Sequence, residues 1–156
     1  LVIYDGPACD FTKAMADSVA RSVGAADMKG LFTPQNPDEQ YRLLAIAFYD
    51  PPKVPAFARK QFYEHAKEKQ PGYLGLLQDL LDREKQYATK QYTWSMPVYV
   101  LWGEGDRLIP PAVGRGIASR NHLPADHLIM IPNAGHIANV EQKAVFEEQL
   151  RRVLKE

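Results

Sequence analysis

Residues 96–110 read Met96-Pro97-Val98-Tyr99-Val100-Leu101-Trp102-Gly103-Glu104-Gly105-Asp106-Arg107-Leu108-Ile109-Pro110. From Pro97 to Trp102 the run is almost continuously apolar. Such a run suits a parallel strand covered on both faces, not a half-solvated one. Gly103-Glu104-Gly105-Asp106 ends it. A helix is expected from about Pro111 to Arg120. Leu128-Ile129-Met130-Ile131 then repeats the buried-strand pattern and is stopped by Pro132-Asn133-Ala134-Gly135-His136. A closing helix, about Gln142 to Leu154, sets Phe146, Leu150, Val153 and Leu154 on one face.

Upstream the texture is different. Leu1-Val2-Ile3-Tyr4 is a short β-prone run ended by Asp5-Gly6-Pro7, which is turn chemistry. Asp10 is a candidate N-cap for a helix carrying Phe11, Ala14, Met15, Ser18, Val19 and Val23, with Gly24 as its stop. Asn36-Pro37-Asp38-Glu39 has the spacing of a capping box with Pro at the first helical position. An apolar helix through Leu43, Leu44, Ile46, Ala47 and Phe48 follows, ended by Asp50-Pro51-Pro52. A further helix is expected from about Pro55 to Lys69, with Phe57, Gln61, Phe62 and His65 on one face. Gln70-Pro71-Gly72 should break it. Another should begin near Tyr73 and carry Leu74, Leu77, Leu80, Leu81 and Glu84. Lys67-Glu68-Lys69 and Asp82-Arg83-Glu84-Lys85 read as solvated helix faces.

The order is strand, helical block, strand, helix, strand, helix. That alternation belongs to an α/β fold with a parallel sheet. The helical block is too long for one crossover and reads as an insertion. In open α/β sheets the functional groups gather on loops at the carboxyl ends of the strands. Two such loops present a titratable residue, Asp106 and His136. If their strands are neighbours, the two side chains meet on one edge and can hydrogen-bond. A carboxylate that orients an imidazole is the supporting half of an acyl-transfer triad. Each residue also has an ordinary reading: an Asp after a strand often caps a turn, and a His after Gly is often a plain surface side chain.

The segment Met96–Pro110 resembles the last-but-one strand and acid loop of the α/β-hydrolase superfamily. Ile131-Pro132-Asn133-Ala134-Gly135-His136, with Glu141-Gln142 and Phe146 after it, resembles that family's histidine loop and last helix. The likeness is close over 96–154 and one of arrangement only over 1–95. It implies an α/β fold, the carboxyl-terminal part of an α/β hydrolase, with parallel strands and a helical cap insertion. Residues 1–10 would be a core strand and loop, 11–95 the cap, and 96–156 the carboxyl-terminal part of the core. It implies Asp106 as triad acid and His136 as triad base of an esterase- or lipase-type carboxylic-ester hydrolase working through an acyl-enzyme. Epoxide hydrolases, haloalkane dehalogenases and carbon–carbon hydrolases are related alternatives that these two residues do not separate. Lys143 stands where the family often has Pro.

The family's nucleophile sits in a G-x-S-x-G elbow between a strand and a helix. No such pentapeptide occurs among Ser18, Ser22, Ser95 and Ser119. Ala20-Arg21-Ser22-Val23-Gly24 comes nearest but lies inside a helical pattern. No oxyanion loop is visible either. The expectation is therefore a chain that supplies acid, base and cap but no nucleophile, and is inactive alone. Its first strand would be an apolar edge. Its partners would be a small ester substrate and either an amino-terminal hydrolase segment or another copy of itself. The competing reading is a non-catalytic module that self-associates through that edge.

Composition narrows the field further. Nineteen basic and 19 acidic residues cancel, which argues against a nucleic-acid binder. No apolar run reaches membrane-span length. With 46% hydrophobic and 24% charged residues the chain has globular proportions, so disorder is excluded. A single cysteine, Cys9, excludes an internal disulfide framework and a cysteine-rich zinc site, and is compatible with the cytoplasm. Cys9 reads as a packing thiol. His65, His122, His127 and His136 lack metal-ligand spacing, so no cofactor or metal is expected. His122 and His127, flanking Asp126, read as surface histidines. Trp102 and Tyr99 read as core. Tyr41, Phe48, Tyr49, Phe57, Phe62, Tyr63 and Tyr73 are cap aromatics, some of which would line an apolar acyl pocket.

Overall fold

The computed structural model describes residues 1–7 and 10–155. Cys9 lies outside the described residues. Three parallel strands, β1 (Val2–Tyr4), β2 (Tyr99–Gly103) and β3 (Leu128–Ile131), form a sheet in the order β1-β2-β3. The register pairs Ile3 with Val100 and Tyr4 with Leu101, then Leu101 with Ile129 and Gly103 with Ile131. Every residue of β2 is buried. Alternation along the strand sends Val100 and Trp102 to one face, with Phe11, Val113 and Ile117. Tyr99 and Leu101 go to the other face, with Ile129 and Val153. This is why the strand reads as a continuous apolar run: both faces are roofed. The Trp102 indole is fully buried and its Nε1 donates to the Ile109 carbonyl at 3.0 Å. Gly114 lies against it, where a Cβ would come within 2.7 Å of the ring.

Between β1 and β2 lie α1 (Lys13–Ser22), α2 (Met28–Leu31), α3 (Pro37–Ala47), α4 (Ala56–Asp82) and α5 (Glu84–Ala88). After β2 come α6 (Pro111–Arg120), a 3-10 turn over Ala125–His127, β3, α7 (Ala138–Glu141) and α8 (Lys143–Val153). None of the described helices is long and apolar enough to cross a membrane.

Several local expectations give way to tertiary contacts. Thr12, not Asp10, caps α1: its Oγ1 accepts from the Met15 amide at 3.2 Å. Asp10 instead takes a positive φ of 71° and pairs with Arg120. Along α1 and its flanks the buried face carries Phe11, Met15, Val19 and Val23 as expected but departs at two positions. Ala16 and Ala20 are fully buried while Ala14 and Ser18 are exposed, because small side chains let the helix lie close to the core. α2, with Asp27 as its cap, is an element that the periodicity did not announce. The predicted break at Gln70-Pro71-Gly72 does not occur, and α4 runs straight through Pro71. Proline removes one helical hydrogen bond at a cost of about 3 kcal/mol. Contacts on both sides offset it: Leu77 and Leu80 pack on the main core, and Gln70 Nε2 donates to the Phe32 carbonyl. The Phe57, Gln61, Phe62 and His65 face of α4 faces solvent, with Phe57 71% exposed. The Asn36 cap forms as expected, its Oδ1 accepting from the Glu39 amide at 3.0 Å.

Candidate active site

All three strands point the same way, so Asp5, Asp106 and His136, each just beyond a strand end, come to one edge of the sheet. The β2 and β3 loops are zipped together by backbone bonds. Glu104 N donates to Ile131 O at 2.9 Å and Gly105 N to Ala134 O at 2.8 Å. Gly103 permits this approach, since a Cβ there would sit 2.1 Å from the Gly135 carbonyl.

Asp106 is 3% exposed. Its Oδ1 accepts from the Leu108 and Ile109 amides, both at 2.9 Å. Its Oδ2 accepts from His136 Nδ1 at 3.0 Å. The carboxylate is thus held by its own loop and faces the imidazole with its second oxygen. Burial opposes a proton on His136, but the hydrogen bond to Asp106 and the charges of Asp106 and Asp5 outweigh it. The imidazole therefore holds a proton above the ordinary histidine range. With Nδ1 engaged, Nε2 is the nitrogen left for the cleft.

The helical block holds this pair from above. His136 N donates to Ala47 O at 2.8 Å. Arg107 Nη2 donates to the Ala45 and Phe48 carbonyls at 2.9 and 2.7 Å. The Glu141 carboxylate accepts from the amides of Tyr49, Asp50 and Gly135. Segment 45–50 is therefore fastened to both loops. Tyr4 adds a support from β1: its hydroxyl lies 3.0 Å from the His136 carbonyl and its ring packs edge-on against Phe146. Burial pushes the Tyr4 phenol well above its usual range, so it stays neutral.

An apolar cleft of about 430 Å³ opens beside His136. Phe11, Met28, Phe32, Leu77, Tyr87 and Ile109 are among its walls. Of the expected pocket aromatics Tyr73 is there, whereas Tyr41 binds the Pro52 carbonyl and Tyr63 the Gln35 carbonyl. Phe11 was expected on the buried face of the first helix and not in a cleft, and Phe32 and Tyr87 were not signalled by sequence spacing. His122 is exposed on a turn. His127 is not a free surface side chain. It stacks on Tyr99 with ring centroids 4.1 Å apart, and its Nδ1 donates to Val98 O at 2.8 Å.

Asp5, Tyr4, Arg107 and Glu141 are the site residues that sequence reasoning did not single out. Asp5 read as a turn residue, and Glu141 only as part of a motif. Asp5, Asp106 and His136 present ligand-type atoms within 4.8 Å of one another. A metal there would have to displace bonds that Asp106 and His136 already make to each other and to backbone amides.

The fold and the paired loops define the class of protein. Residues 9–143 match the α/β hydrolase fold family, and the chain belongs to it. Among curated proteins it is similar to Lipase 1 of Psychrobacter immobilis, 27% identical over 105 residues, which is 67% of this chain and 32% of that lipase. Among solved structures it is similar to a membrane phospholipase A described as a bacterial virulence factor. The TM-score is 0.67 at 18% identity, covering 99% of this chain and 48% of that one. It is also similar to a thermophilic esterase, with TM-score 0.64 and 19% identity, covering 99% of this chain and 55% of that one. The chain thus spans about a third of the curated relative and about half of these structures.

Proposed function

We propose that this chain is the acid- and base-bearing part of a carboxylic-ester hydrolase of the esterase or lipase type. The observation that carries the reading is the bond from His136 Nδ1 to the buried Asp106 carboxylate, made beside an apolar cleft. The curated relative described as a lipase favours an ester substrate, whereas the similar solved structures, among them a 2-hydroxy-6-oxo-6-phenylhexa-2,4-dienoate hydrolase as well as a phospholipase and an esterase, share the fold alone. Asp106 holds the imidazole in the Nδ1–H tautomer. His136 Nε2 then takes the proton of a serine hydroxyl as that oxygen attacks the ester carbonyl. The same proton passes to the departing alkoxide, and water releases the acyl group by the same route. The residues 11–95 act as a cap whose inner side, with Phe32, Leu77 and Tyr87, receives an apolar acyl group.

The serine comes from outside this sequence. Ser22, the nearest approach to an elbow, lies in α1 with its hydroxyl donated to Val19 O at 2.7 Å. In this proposal the nucleophile-bearing segment adds its strand to the open side of β1, which has β2 as its strand neighbour among the described residues.

The test is ester hydrolysis with p-nitrophenyl butyrate and octanoate. The chain alone should give no turnover above His136→Ala. Combined with an amino-terminal hydrolase segment carrying the elbow, it should gain activity that His136→Ala abolishes and His127→Ala keeps. Native mass spectrometry shows whether the two segments associate. Equal activity of the two histidine variants would remove His136 as the base. Turnover by the chain alone that Ser22→Ala abolishes would overturn the division of the triad.

A further inference from the structure

Asp5 has no part in the mechanism above, yet it is the most confined acid in the molecule after Asp106. It follows β1, is 5% exposed, and neither carboxyl oxygen makes a well-formed hydrogen bond among the described residues, though Tyr4 and the Gly103 backbone lie close. Its backbone sits at φ 40°, a left-handed conformation that an L residue adopts at some cost. An orphaned carboxyl in a strained position at a strand end is an anomaly that needs a cause. Its neighbours supply one. Asp5, Asp106 and His136 have their polar atoms within 4.8 Å of one another. Asp106 already spends Oδ1 on two amides and Oδ2 on His136. A second ionised carboxylate here would be desolvated and repelled at once.

We propose that Asp5 is a proton-holding positioning residue: a neutral carboxyl beside the Asp106 carboxylate, whose proton and the His136 proton disfavour one another. The groups that face it are Tyr4 from its own strand, Asp106 from the β2 loop and His136 from the β3 loop. Tyr4 stays neutral, so the electrostatic balance is among the other three. While Asp5 keeps its proton, His136 sees one negative charge and its imidazole is free to accept a proton. When Asp5 ionises, a second negative charge holds the imidazolium in place. Burial first, then the Asp106 charge, push Asp5 up to about 7. His136 is raised above its usual value too, so the two titrate in overlapping ranges. Coupled groups of this kind lose their protons in steps that belong to the pair and not to either residue. Unit charges about 5 Å apart, at the effective dielectric of a protein site, separate those steps by about 2 pH units.

This inference rests on reading Asp106 and His136 as a working pair, but its test uses no substrate. Failure of ester hydrolysis would therefore leave the result standing. The ring signals of His136 are followed by NMR in the isotope-labelled chain from about pH 4 to 9, a range spanning both ordinary values. Wild type should titrate in two steps. Asp5→Asn should titrate in one, below the upper wild-type step. Asp126→Asn, an exposed acid within the 3-10 turn before β3, should keep both steps. Infrared spectra at neutral pH should show a protonated-carboxyl C=O band in wild type that Asp5→Asn lacks. A single step in wild type, or the same curve in wild type and Asp5→Asn, overturns the proposal. If Asp5→Asn does not fold, wild type still decides: one step without the carboxyl band refutes it.

Discussion

Glu141→Ala is the perturbation that most directly probes how the helical block and the loops carrying Asp106 and His136 are joined. Glu141 closes α7, and its carboxylate bridges the His136 loop and the segment after α3. Oε1 accepts from Tyr49 N at 2.8 Å and Asp50 N at 3.1 Å, and Oε2 from Gly135 N at 2.7 Å. Truncation leaves three amides without their acceptor. Hydrogen bonds to a charged group contribute about 1.5–3 kcal/mol each when buried. Two of these bonds are at an exposed position, where water replaces the acceptor cheaply, so the sum is discounted to about 3 kcal/mol. For a domain of this size that lowers Tm by about 10 °C. The assay is urea and thermal unfolding of Glu141→Ala beside Glu147→Ala. Glu147 makes surface pairs with Lys143 and Arg151, and its loss should cost about 0.5 kcal/mol or less. Amide exchange adds a local readout: the His136 amide, bonded to Ala47 O, should exchange faster in Glu141→Ala and not in Glu147→Ala. Equal unfolding midpoints for the two variants, with His136 exchange unchanged, would refute the idea that this carboxylate fastens the two parts together.

Two further outcomes follow from the same geometry. Asp5 is raised from 3.8 to about 7, so the folded state binds its proton more tightly. Its stabilising contribution is complete below about pH 4 and is lost as pH rises to about 7. The His136 contribution has the same sign, complete below its usual 6.5 and lost as pH rises through its folded value. Asp5→Asn should therefore gain on wild type between pH 5 and pH 8 in urea unfolding, by roughly 2.5 kcal/mol at most; a difference independent of pH would refute this. Gly135→Ala would place a Cβ 2.6 Å from both Ala47 O and Tyr49 N. These are backbone atoms that cannot swing aside, so unfolding midpoints should report a loss of about 2–3 kcal/mol; an unchanged midpoint would show that segment 45–50 is not seated there.

The sequence by itself determined the sheet and the edge that carries Asp106 and His136. β2 was legible because both its faces are roofed, which leaves no polar residue between Pro97 and Gly103 to blur the pattern. α8 was legible for the complementary reason, a 3.6-residue stripe of Phe146, Leu150 and Val153, although Leu154, expected on the same face, falls past the helix end and is 71% exposed. Asp106 and His136 were legible because each lies in the loop that follows a strand, and parallel strands put such loops on one edge whatever else the chain does. Tertiary structure decided the rest. Pro71 reads locally as a break, but packing of Leu77 and Leu80 on the core outweighs one missing helical bond. Asp10 reads locally as a cap, but Arg120, far along the chain, claims its carboxylate. The roles of Tyr4, Asp5, Arg107 and Glu141 depend on contacts between elements separated by up to 135 residues, as in Tyr4 to Asn139. No local pattern encodes such contacts. A neighbouring motif announces a carboxylate's position, while its burial, its partners and its proton are set by what folds around it.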